Sequence, residues 1–112
     1  MKGLNKIMLI GNLGGDPEIQ TLESGSIKVA KFSLATTESY KDDKGQLHST
    51  TDWHSVVAWR GIADLAEKYL RKGSTVYVEG KSKTRSYEDK QGVKRYVTEV
   101  VAEQLILLDK KE

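Results

Sequence analysis

Eight aromatic rings and a run of cations carry most of the chemistry available to this chain of 112 residues: Phe32, Tyr40, Trp53, Trp59, Tyr69, Tyr77, Tyr87 and Tyr96. Trp53 and Trp59 have the same parity in the extended run Thr50–Trp59, so both point to one face if no bulge intervenes. Arg60 follows directly. In the run Thr75–Tyr87, Lys81, Lys83, Arg85 and Tyr87 alternate with Ser82, Thr84 and Ser86. One face is thus a row of cations ending in a ring, and the other is small and hydroxylic. Such a strand is too polar to be buried along its outer half, and the alternation predicts a projecting arm with residues 88–92 as its tip.

Interleaved cations and rings suit an unpaired nucleic-acid strand. Lys and Arg neutralise phosphates and release counterions, while rings stack on bases for about 1–3 kcal/mol each without demanding a particular base. The plainer assignments are a solvated strand face for the charges and a barrel core for the tryptophans. On the residues alone, Trp53 and Trp59 fit core and binding face equally well. Tyr69 and Phe32 are expected in the core. Tyr40 ends a strand beside the polar connection Lys41-Asp42-Asp43-Lys44-Gly45.

Other chemistries find less support. With no cysteine there is no disulfide framework, Cys-ligated zinc or thiol catalysis, and two histidines (His48 and His54) make a poor metal set. No metal site, cofactor or catalytic residue is expected, and the chain is not read as an enzyme. Gly11-Asn12-Leu13-Gly14-Gly15-Asp16-Pro17 follows a strand, but no Gly-Lys-Ser/Thr completes a phosphate loop, so it reads as a turn. Asp42-Asp43 and Glu88-Asp89 lack the apolar neighbours that would push two carboxyl pKa values apart for acid–base work. Asp52 and His54 could meet on one strand face, yet no motif ties a nucleophile to them, and His54 reads as a structural or interface residue.

These side chains need a scaffold, and the sequence describes one domain over residues 1–108 with a short end at 109–112. Extended runs over Asn5–Gly11, Ser26–Thr37, Thr50–Trp59, Thr75–Tyr87 and Lys94–Leu108 predict five strands. Ile62, Leu65, Ala66, Tyr69 and Leu70 form a helical stripe, with Arg71 and Lys72 at its negative end and Gly73 suited to a left-handed cap. The order β-β-β-α-β-β, all-β with one short helix, is that of a five-stranded Greek-key OB-fold barrel; other small barrels share it. The net charge of +2 averages two unlike halves: residues 1–56 hold six basic and seven acidic residues, and residues 57–112 hold twelve and nine. No apolar run approaches a membrane span and no secretion signal is visible, so a cytoplasmic location is expected.

The chain resembles the bacterial single-stranded DNA-binding protein family from Asn5 to Ala102. The resemblance rests on Asn5-Lys6-Ile7-Met8-Leu9-Ile10-Gly11-Asn12-Leu13-Gly14 with Asp16-Pro17-Glu18, then Ser33-Leu34-Ala35-Thr36-Thr37-Glu38-Ser39-Tyr40 and Thr51-Asp52-Trp53-His54. Glu67-Lys68-Tyr69-Leu70-Arg71-Lys72-Gly73-Ser74, Val76-Tyr77-Val78-Glu79-Gly80 and Thr84-Arg85-Ser86-Tyr87 complete it. It implies an OB-fold that coats single-stranded DNA without strong sequence preference in replication, recombination and repair. It also implies stacking by Tyr40, Trp53, Trp59 and Tyr87, and phosphate contacts from Lys6, Lys72, Lys83 and Arg85, to which Arg60 and Lys81 are added from the charge pattern. The family often has Trp where Tyr40 and Tyr87 stand and Phe where Trp59 stands, so each exchange keeps a ring. Arg60 is one place displaced from a familiar lysine, where Gly61 stands, and Ser55 replaces a basic residue. The resemblance further implies a homotetramer, with the first strand and His54 at one interface and Tyr77 and Glu79 at the other. Family members usually continue into a tail with an acidic tip that recruits other enzymes; this sequence ends Asp109-Lys110-Lys111-Glu112, so such recruitment is not expected. The alternatives are a primosome-type protein-interaction OB module and an RNA-binding OB domain.

Overall fold

The computed structural model describes residues 3–22 and 25–109; most of the predicted end at 109–112 therefore lies outside the described residues. The strands are β1 (Ile7–Leu13), β2 (Glu18–Leu22), β3 (Ile27–Lys41), β4 (Leu47–Trp59), β5 (Thr75–Glu88) and β6 (Lys94–Leu107), with the helix α1 (Gly61–Tyr69) between β4 and β5. Neighbours run β1-β5-β6-β4-β3-β2, and β1 also pairs with β3 through Asn12↔Ala35 and Leu13↔Leu34. That last pairing closes β1, β5, β6, β4 and β3 into a barrel, as the OB-fold expectation required. All pairings are antiparallel except β4 with β6, joined at Val56↔Val100 and Val57↔Val101.

The sixth strand is a departure from the five expected. β2 continues the course of β1 after Gly14-Gly15-Asp16-Pro17 and pairs with the start of β3, from Glu18↔Lys31 to Leu22↔Ile27. β3 and β4 also run further out than expected, as far as Lys41↔Leu47, where Thr and Ser hydroxyls bond across the ladder: Thr37 to Thr51 at 3.1 Å and Ser39 to Ser49 at 3.2 Å.

The core follows the pleat. Ala30, Phe32 and Leu34 on β3 face inward with Val56 and Ala58 on β4, Val76 and Val78 on β5, and Val100, Ala102 and Leu105 on β6. A bulge keeps β6 in phase: Glu79 pairs with Gln104 but Gly80 with Ala102, so Glu103 is an extra residue. Without it, Leu105, Val101 and Glu99 would share a face. With it, Ala102 and Val100 fill the barrel while Val101 and Glu99 turn outward.

The helix closes one end of the barrel with Ala63, Ala66 and Leu70, all fully buried. Tyr69, expected in the core, is 55% exposed: the buried stripe centres on Ala63, Ala66 and Leu70, which leaves Tyr69 on its rim. Gly73 does adopt a positive φ of 88°, but it is not the helix cap. Helical bonding ends at Leu70 N–H to Ala66 O, and Gly73 belongs to the following turn, where its N–H donates to Leu13 O. The cation expected at the helix end is there, with Arg71 Nη1 donating to the carbonyls of Glu67 and Leu70.

Candidate nucleic-acid interface

Two long hairpins rise from the barrel, β3–β4 and β5–β6, and their tips are built alike. In the first, Asp42 Oδ1 accepts the N–H of Lys44 and Gln46, Gly45 N–H donates to Asp42 O, and Asp42 Oδ2 meets His48 Nε2 at 2.8 Å. In the second, Asp89 Oδ1 accepts the N–H of Gln91 and Val93, Gly92 N–H donates to Asp89 O, and Arg95 Nε donates to Asp89 Oδ2 at 3.0 Å. Gly45 and Gly92 have φ of 78° and 79°, which the turns require and side chains resist. The hydrogen bonds hold both carboxyls below the usual aspartate range, His48 contributing most at Asp42 and the Val93 N–H most at Asp89. One member of each acidic pair, Asp42 and Asp89, is thus a hairpin builder.

Between the hairpins lies a groove of about 600 Å³. It is lined by Val29, Val57 and Val101, by Trp59, and by Lys31, Lys81, Lys83 and Arg85 with Glu99 among them, while β2 contributes Gln20 and Leu22. The β5 alternation therefore does what the sequence predicted. Tyr87 shares the parity of Arg85 further out on the arm, opposite Arg95 in register. Trp53 shares the groove-side parity of Trp59 on β4. Both indoles are exposed, 62% for Trp53 and 42% for Trp59, which excludes the barrel-core alternative.

The remaining site candidates are dispersed. Tyr40 pairs in register with His48 on the opposite face of β3–β4 from the tryptophans. Its ring stacks on the imidazole, centroids 5.2 Å apart at 21°. Lys72 lies on the turn after α1, where its N–H donates to Asp16 Oδ1. Arg60 precedes α1 with φ 58° and ψ −119°, a conformation that glycine ordinarily fills. It is the only non-glycine residue with positive φ among the described residues. Lys6 immediately precedes β1, 3.5 Å from Glu79.

The pairing of β5 with β1 and β6 carries the candidate interface residues Tyr77 and Glu79. Tyr77 OH donates to Glu79 Oε1 at 2.6 Å, which lowers the Glu79 pKa and raises that of the phenol. Met8 pairs with Glu79 in register, Ile10 with Tyr77 and Tyr77 with Ile106. Met8, Ile10 and Ile106 are all exposed, making an apolar patch around the polar pair. His54 is half-buried, its Nε2 2.9 Å from Thr36 Oγ1; Thr36 is the register partner of Asp52 and stands where an Asp52–His54 contact was considered.

The groove residue that sequence reasoning passed over is Glu99. Arg85 donates to it through Nε at 2.9 Å and Nη2 at 3.5 Å, and Glu99 raises the Arg85 pKa. Only the bulge turns Glu99 into the groove, and alternation alone gave no sign of it.

The profile of the Single-strand binding protein family matches residues 4–108. The chain belongs to that family. It is 48% identical over 112 residues to single-stranded DNA-binding protein 1 of Chlorobaculum tepidum, covering 99% of this chain and 68% of that relative. Over 113 residues it is 45% identical to single-stranded DNA-binding protein 1 of Xylella fastidiosa, covering all of this chain and 82% of the relative. Among solved structures, Plasmodium falciparum SSB in complex with ssDNA superposes with a TM-score of 0.87 at 45% identity, over 97% of this chain and 98% of that one. The Single-strand binding fold and the barrel described here are therefore the same architecture. Among the described residues no helix is long and apolar enough to cross a membrane.

Proposed function

We propose that this chain binds single-stranded DNA without strong sequence preference, threading it between the two hairpins. The observation that carries this reading is the groove, in which Trp59 shares one surface with Lys31, Lys81, Lys83 and Arg85. Bases stack on Trp59, Trp53 and Tyr87, and phosphates lie along the cations. Tyr40 takes part as the strand rounds the β3–β4 hairpin, with His48 backing one face of its ring. Arg60, Lys72 and Lys6 extend the cationic path outside the groove. Coating of single strands in cytoplasmic replication, recombination and repair is the role that fits.

The chain acts as a homo-oligomer, a tetramer on the family pattern. Two features support this. The edge of β1 over Ile7–Ile10 has β5 on one side and no strand on the other among the described residues, and open edges are ordinarily paired or protected. The Met8, Ile10 and Ile106 patch around Tyr77 and Glu79 offers a second contact. His54 belongs to the first of these interfaces.

Fluorescence anisotropy with a labelled single strand, competed by its RNA counterpart and by the duplex, tests the assignment. Preference for the single DNA strand is expected. Equal or better competition by RNA would reassign the groove to RNA, and retention by the duplex would remove the stacking account.

A further inference from the structure

The groove built for a polyanion contains an anion of its own. Glu99 is the one carboxylate among the residues that line it, against four cations. Its side chain is only 14% exposed, while that of its partner Arg85 is 51% exposed. It stands directly opposite Lys83 in the β5–β6 register and diagonal to Arg85, gripping the guanidinium through two nitrogens. Of the other groove cations, Lys81 has only a looser pair at 3.7 Å with Glu103, both half-exposed, and Lys31 and Lys83 have no ion-pair partner among the described residues.

A free guanidinium beside a strand path holds mobile anions, and their release when phosphate arrives drives binding at low salt. A guanidinium already neutralised by a fixed carboxylate releases nothing. The incoming phosphate must either displace Glu99 or lie beside its charge, and both cost binding energy. We propose that Glu99 is a resident counter-anion: it occupies Arg85 in the free protein, lowers the affinity for single-stranded DNA and flattens its salt dependence, so that a bound strand stays exchangeable. This inference rests on the groove being the single-strand site. Glu99 is a positioning residue here, acting through Arg85, and the opposite possibility is that it merely steadies the guanidinium for phosphate. The two differ in sign.

The test measures the binding of a thymine homopolymer at several salt concentrations by unaltered protein, Glu99→Gln, Glu103→Gln, Arg85→Gln and the double variant Arg85→Gln with Glu99→Gln. The amide keeps the shape of the carboxylate, and unchanged melting confirms the fold. Glu99→Gln is expected to tighten binding at low salt by about threefold or more and to steepen the log–log salt slope by about 0.7, the increment for one further phosphate on a single strand. Glu103→Gln, an exposed pair, is expected to stay within about twofold, and Arg85→Gln is expected to remove most of the Glu99→Gln effect. Weakened or unchanged binding by Glu99→Gln, or an equal gain from Glu103→Gln, overturns the proposal. An unaltered protein that leaves the homopolymer unbound overturns the proposed function as well, whereas a binder indifferent to Glu99→Gln overturns this inference alone.

Discussion

The indole of Trp53 lies against the backbone of Gly14: a Cβ at that glycine would stand 2.5 Å from Cζ3 of the ring and 3.0 Å from Ser33 Oγ. The turn that leaves β1 thus forms the seat of the exposed Trp53 ring. Gly14→Ala is expected to push the indole off its seat and weaken single-strand binding by up to about the worth of one stacked base, 1–3 kcal/mol. The melting temperature should move little, because the displaced ring is on the surface. Paired binding and thermal-melting measurements check this.

Removing the ring itself gives a cleaner separation of site from scaffold. Trp53→Ala is expected to cost about 1–3 kcal/mol of binding and to leave the barrel folded, since Trp53 is not among the buried core residues. A large fall in melting temperature with binding intact would make Trp53 a structural residue.

Arg60 holds a backbone conformation that costs a non-glycine residue on the order of 1–3 kcal/mol. Arg60→Gly relieves that strain at some cost in chain entropy, so the net expectation is a melting temperature higher by a few degrees. If Arg60 meets a phosphate, the same substitution lowers the salt slope by about 0.7. A more stable but weaker binder is the expected combination, read by calorimetry and by salt titration.

The hairpin tips should fail in acid. The folded pKa values of Asp42 and Asp89 are depressed, so their contribution is fully present above the ordinary carboxyl range and is lost as pH falls through it, below about pH 4. Hydrogen exchange at the amides of Lys44, Gln46, Gln91 and Val93 is the direct reading, corrected for the intrinsic acid dependence. Those amides should lose protection before the amides of Val56 and Val78 do.

The apolar patch makes a prediction about assembly. Ile10→Asp places a charge between Met8 and Tyr77 and is expected to yield a smaller particle in sedimentation than the unaltered chain. A particle of unchanged size would remove this face from the interface.

Much of this was legible in the residues because alternation is a local signal. Lys81, Lys83 and Arg85 share a face simply because a strand is pleated, and the structure puts them in one groove. The helix is visible in its period, but the exposure of Tyr69 is not, because period locates a stripe more closely than it locates the stripe's edge. Strand β2 was hidden: Glu18–Leu22 is short and polar, and it is held by the register of β3 more than by its own pattern. Glu99 was hidden for a different reason. A single extra residue, Glu103, inverts the parity of β6, and such a bulge is a property of the pairing between strands. The cradle between Gly14 and Trp53 joins residues far apart in the chain, beyond the reach of any local pattern.

Tryptophan emission during titration with a thymine homopolymer bears most directly on the groove as a single-strand site. Both tryptophans of the chain, Trp53 and Trp59, lie on its face. Marked quenching at low salt, with affinity that falls as salt rises yet retains a stacking component, is the expected result. Emission that stays constant through saturating homopolymer at low salt would contradict it.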